Sequence, residues 1–127
     1  MNPVRRQAGV SGSVFGALAV ALGAFAAHAL KDTLDAHSLA LWRTAVEYQF
    51  VHALALIGVA LASKDPPSLA GRFAGSAFLV GVVLFSGSLY ALALGGPRAL
   101  GLLAPIGGAA LIAGWIALAR LFLVRNE

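Results

Sequence analysis

The stretch Trp42-Arg43-Thr44-Ala45-Val46-Glu47-Tyr48-Gln49-Phe50-Val51-His52-Ala53-Leu54 decides the fold, because it holds an acidic residue inside a long apolar run. No further charge interrupts the chain before Leu61, so residues 42–61 supply about the twenty positions a helix needs to cross the hydrocarbon core of a bilayer. Arg43 and Glu47 therefore lie in or near lipid. A lone charge at the centre of such a helix costs roughly 2.5–3.5 kcal/mol on insertion scales, so both residues are expected to face protein and find partners there.

Composition places the whole chain in the same class. With 60% hydrophobic and 11% charged residues in 127, and a mean hydropathy of +0.88, it is too apolar for a soluble domain of this length. The length accommodates one unit of about four spans and short connections. A formal net charge of +4 raises the question of nucleic acid, but most basic residues sit near the expected helix ends, where orientation signals belong. Nucleic-acid binding is excluded on that ground. The absence of cysteine rules out disulfides, thiolate metal sites and cysteine nucleophiles, and leaves the redox compartment open.

Working outward from residue 42, the expected spans are 8–30, 39–62, 72–94 and 103–124, forming an all-α integral membrane four-helix bundle in a single domain. Ala27-His28-Ala29 resembles a signal-peptidase site, yet the apolar run before it exceeds the h-region of a signal peptide, so the segment is taken as a span. Gly12 and Gly16 form a GxxxG, extended by Ala19 and Gly23, whose small face suits close helix packing within the molecule. Asp35 or Ser38 can cap the second helix. Pro66-Pro67 breaks the chain after it, Gly95-Gly96-Pro97 ends the third, and Pro105 is tolerated in the first turn of the fourth.

An even number of spans puts both termini on one side. That face collects Arg5, Arg6, Lys64, Arg72, Arg120 and Arg125, against Lys31, Arg43 and Arg98 on the other, and six of nine basic residues on one side favour cytoplasmic termini. At about 1.5 Å per residue, Glu47 lies roughly 7 Å below the outer boundary, level with Ser88 and Tyr90. His28 and Arg43 lie at the surface. His52 and Trp115 are both near mid-membrane, so His52 is expected to be neutral and hydrogen-bonded inside the bundle. Trp42, Tyr48 and Tyr90 fall on the outer side, as an aromatic belt does. The candidate site is this polar cluster: His28, Arg43, Glu47, Tyr48, Gln49, His52, Ser86, Ser88 and Tyr90.

Four ordered blocks carry a resemblance. Gly23-Ala24-Phe25-Ala26-Ala27-His28-Ala29-Leu30-Lys31, Trp42 to Gln49 with His52-Ala53-Leu54-Ala55-Leu56, Leu84-Phe85-Ser86-Gly87-Ser88-Leu89-Tyr90 and Pro105-Ile106-Gly107-Gly108 resemble the signature blocks of the YgdD-like family. The resemblance covers nearly the whole chain and implies a small four-span protein of the bacterial inner membrane. It implies no established activity.

The chemistry of each candidate can be weighed against packing. Glu47 is either a proton-transfer group, as intramembrane carboxyls often are, or a clamp joining the second and third helices; the absence of a second buried carboxyl to continue a relay favours the clamp, through Ser88, Tyr90, Arg43 or His28. His28 and His52 differ in depth by about 13 Å and cannot share an iron. With no HxxxH, cysteine or acidic cluster, neither metal nor cofactor is expected. Ser86 and Ser88 lie in a helical run without a nucleophile elbow, and Gly107-Gly108 lacks the continuation of a phosphate loop. The expected function is therefore non-enzymatic: an accessory or interaction protein whose partners are the bilayer and either a larger membrane complex or other copies of itself. The alternative is a conduit or binding site for a proton or small solute, built on Glu47, Tyr48, Gln49 and His52.

Overall fold

The computed structural model describes residues 2–124; Arg125, counted above with the basic face, lies outside them. Four helices account for the chain: α1 (Pro3–Phe25), α2 (Ala36–Ala62), α3 (Leu69–Ala93) and α4 (Leu103–Val124). Each is long and apolar enough to cross a membrane once the short helical turns Ala26–Leu30 after α1 and Arg98–Leu102 before α4 are included. The molecule is an all-α membrane bundle.

Short polar side chains set the helix starts. Asn2 Oδ1 accepts from the amides of Val4 and Arg5, so α1 begins at Pro3, where a missing N–H is harmless. The Asp35 carboxylate accepts from Ser38 N at 2.7 Å, and Ser68 Oγ accepts from Gly71 N at 3.1 Å, starting α2 and α3. At the end of α3, Gly95 adopts φ +91°, a left-handed conformation that glycine reaches without steric cost. Asn2 Nδ2 also donates to the Lys64 carbonyl, tying the start of α1 to the end of α2. The π turn at Ala26–Leu30 is not foreshadowed by any proline or unusual composition.

The helices pack in chain order, α1 on α2, α2 on α3 and α3 on α4, and among the described residues α1 and α4 do not touch. The bundle is thus open along one side. Its core runs through Leu56, Val59, Ala74, Phe78 and Leu118. Glycines permit the close approaches. A methyl group at Gly12 would stand 2.8 Å from the Ala53 carbonyl oxygen, so the Gly12–Gly16 face is used within the molecule, against α2. At Gly107 it would run into the Phe85 backbone, which makes the Gly107-Gly108 pair a contact between α4 and α3.

Candidate functional site

The polar side chains of α2 divide between two sides of the helix. Gln49, Trp42 and His52 are 4% exposed, whereas Arg43 and Glu47 are exposed. Helical geometry explains the division: at about 100° per residue Glu47 and Gln49 are separated by about 200°, while Trp42 and Gln49, seven residues apart, share a face.

Gln49 joins three helices. Its Nε2 donates to the Phe15 carbonyl of α1 at 2.9 Å, and its Oε1 accepts from the Tyr90 hydroxyl of α3 at 2.7 Å. Two turns outward, Trp42 Nε1 donates to the Leu22 carbonyl at 3.0 Å and its ring meets Tyr90 edge-on at 4.6 Å. Ser86 Oγ crosses from α3 to the Ala45 carbonyl at 2.8 Å. Toward α4, His52 Nδ1 lies 2.7 Å from the Tyr48 carbonyl, and Trp115 Nε1 lies 3.0 Å from His52 Nε2. A carbonyl only accepts and an indole N–H only donates, so His52 is the neutral imidazole with its proton on Nδ1. Among the described residues, no buried side-chain nitrogen or oxygen lacks a partner.

This arrangement overturns the part given to Glu47. It makes no hydrogen bond or ion pair with Ser88, Tyr90, Arg43 or His28, and it points away from α3. The tie between α2 and α3 is made by Gln49 and Ser86 instead. Matching depths placed Glu47 level with Tyr90, but depth carries no information about azimuth, and Gln49 is the residue on the correct face. Ser88 bonds within its own helix, to the Phe85 carbonyl at 2.9 Å. His28 is exposed on the π turn, and Arg43 is exposed without a partner among the described residues. Tyr48 is 41% exposed, its ring 4.4 Å from that of Phe85. Trp42 is buried between helices, not placed in a lipid-facing belt. Sequence reasoning missed the two backbone acceptors on α1, Phe15 and Leu22, for which side-chain identity provides no signal.

The cluster is therefore two structures. One is an inward network of neutral amide, imidazole, indole and hydroxyl groups, each bonded to another or to a backbone carbonyl; the other is an outward Arg43–Glu47 pair of residues. A groove between α2 and α4, lined by Tyr48, His52, Phe85, Ile112 and Trp115, opens beside the first. No group of three or more metal-ligating side chains occurs among the described residues.

Residues 22–108, which contain every side chain of the inward network except Trp115, match the model of a family described as a protein of unknown function, DUF423. The chain belongs to the DUF423 family. It is 45% identical over 104 residues to a UPF0382 membrane protein of Haemophilus influenzae, covering 82% of this chain and 83% of that one. It is 42% identical over 108 residues to the UPF0382 inner membrane protein YgdD of Escherichia coli, covering 85% and 79%. A UPF0382 membrane protein of Staphylococcus epidermidis is 41% identical over 109 residues, covering 86% and 88%. No solved structure matches. The similarity to UPF0382 membrane proteins and the four apolar helices make this a multi-pass membrane protein.

Proposed function

We propose that this protein is a non-catalytic component of the bacterial inner membrane, with both termini in the cytoplasm, that works through helix contacts with other membrane proteins. One observation carries the reading: Gln49, Ser86 and His52 are engaged in holding α1, α2, α3 and α4 to one another, with both His52 nitrogens and both ends of the Gln49 amide occupied. Groups so committed are structural fasteners. The short connections leave little surface outside the bilayer, so contact is made chiefly by helix faces. The inner-membrane assignment follows the name of the Escherichia coli relative, and the orientation follows the basic asymmetry. A conduit built on Glu47, Tyr48, Gln49 and His52 draws no support from the geometry, because Glu47 faces outward while Gln49 turns to α1 and α3.

Extraction in native nanodiscs followed by intact-complex mass spectrometry tests the proposal. The expected result is protein bound at fixed stoichiometry, together with proteoliposomes that pass no more protons than empty vesicles. Proton flux abolished by Glu47→Gln or His52→Phe would replace this reading with the conduit. A reporter fused to the C-terminus checks orientation and is expected to be active only in the cytoplasm.

A further inference from the structure

The outward face of α2 combines two features. Glu47 is the only acidic residue inside a span, roughly 7 Å below the outer boundary, and neither it nor Arg43 has a partner among the described residues. Around them Arg43, Glu47, Phe50, Leu54, Ile57 and Leu61 recur at alternating steps of four and three residues, the spacing by which one helix meets another in a left-handed pair. Leu54 and Leu61 are 67% and 66% exposed, Phe50 is 39% exposed, and only Ile57 is drawn partly into contact with α1.

We infer that this face is a self-association surface, on which α2 packs against α2 of a second copy about a two-fold axis along the membrane normal. The inference deepens the interaction reading above and rests on it. Two copies in one membrane share an orientation, so their α2 helices run parallel and the same residues meet at the same level. The patch holds one charge of each sign, one turn apart. A second copy therefore brings both counter-charges to the depth at which they are needed. Each Glu47 reaches one turn outward to the other copy's Arg43, and the two pairs close a neutral four-residue ring. A face bearing two like charges would have no such self-complementarity. Below the ring, Phe50, Leu54 and Leu61 supply the apolar part of the seam.

The chain has no cysteine, so Leu54→Cys introduces a single thiol. Mild oxidation of membranes containing this variant is expected to give a disulfide-linked dimer, while Ile112→Cys, 64% exposed on α4, stays monomeric. In the Leu54→Cys background, Glu47→Arg puts four positive charges at the axis and Arg43→Glu four negative ones. Each is expected to reduce cross-linking about tenfold, like charges in an interface being strongly unfavourable. Co-expression of the two variants should restore a mixed dimer, which also shows that both still fold. Equal cross-linking at Leu54 and Ile112, or no recovery on co-expression of inserted variants, would overturn the inference. Cross-linking of Leu54→Cys to a different protein overturns it too, yet leaves the interaction reading standing. Proton flux removed by Glu47→Gln would instead defeat that broader reading.

Discussion

The inward and outward sides of α2 solve the problem of polarity in a membrane differently. The inward side uses neutral groups whose needs are few and reciprocal: Gln49 takes one acceptor and one donor, His52 likewise, and Ser86 takes the Ala45 carbonyl. The outward side carries Arg43 and Glu47, whose charges are not met among the described residues. Neutral groups can be satisfied by one or two neighbours on packed helices, but a charge requires a counter-charge or water, and the interior offers neither. Polarity thus marks where the molecule holds itself together, and charge marks where it is open to something else.

The largest expected effect tests packing on the two sides. Gly12 faces α2 from α1, and a β-carbon there would meet the Ala53 backbone oxygen and the Leu56 and Ile57 side chains, whereas Gly58 on α2 has nothing within 4 Å. Gly12→Val is expected to destabilise by about 3 kcal/mol or more and to deplete folded protein. Gly58→Ala should be neutral or slightly stabilising, since alanine is the better helix former. Thermal unfolding in detergent measures both. Similar losses from the two would show that α2 is enclosed all round.

Next in size is the exchange of hydrogen-bonding groups. Gln49→Leu removes two interhelical bonds and strands the Tyr90 hydroxyl, for an expected loss of about 2 kcal/mol. Glu47→Gln should leave the fold within about 0.5 kcal/mol, as changes away from buried networks usually do. Reversal of that order would return to Glu47 the clamping part that Gln49 now holds. A finer test is the double-mutant cycle of His52→Phe with Trp115→Phe, whose coupling is expected near 0.6 kcal/mol, typical of a hydrogen bond between membrane helices. Zero coupling would mean that ring contacts alone join α2 to α4.

Much of this fold can be read from composition and punctuation. Runs of some twenty apolar residues, the Pro66-Pro67 and Gly95-Gly96-Pro97 breaks, and the small face of α1 are direct consequences of bilayer thickness and backbone sterics. The polar network was legible in level, but not in which side of α2 meets α3. Counting residues from the boundary put His52 beside Trp115, and their bond agrees; the same count put Glu47 beside Tyr90, where Gln49 stands. The difference arises because α2 is polar on more than one side, so its periodicity selects no single inward face, and ranking by charge chose the residue that faces out. Trp42 shows a related ambiguity. An indole near the boundary suits a lipid belt and a buried bond to Leu22 equally well, until the neighbouring helix is in place.

The smallest effect concerns the entrance to α2, on which both faces depend for their register. The bond from the Ser38 amide, assisted by the Ser38 side chain, holds the Asp35 carboxyl below its ordinary value of 3.8. A lowered folded value means that the carboxylate contributes stability above the unfolded value, and that this contribution is lost as pH falls through the folded one. The loss is therefore confined to acid below 3.8 and is absent at neutral pH. Because Asp35 is fully exposed, solvent screens the interaction and the change in unfolding temperature should be slight. Amide exchange at Ser38 is the more sensitive measure. Protection should fall on acidification in the native chain once intrinsic exchange is allowed for, and should stay level in Asp35→Asn, which caps a helix without titrating. Equal acid sensitivity in both proteins would mean that another group controls the start of α2, and that its two faces are set by packing against α1 and α3 alone.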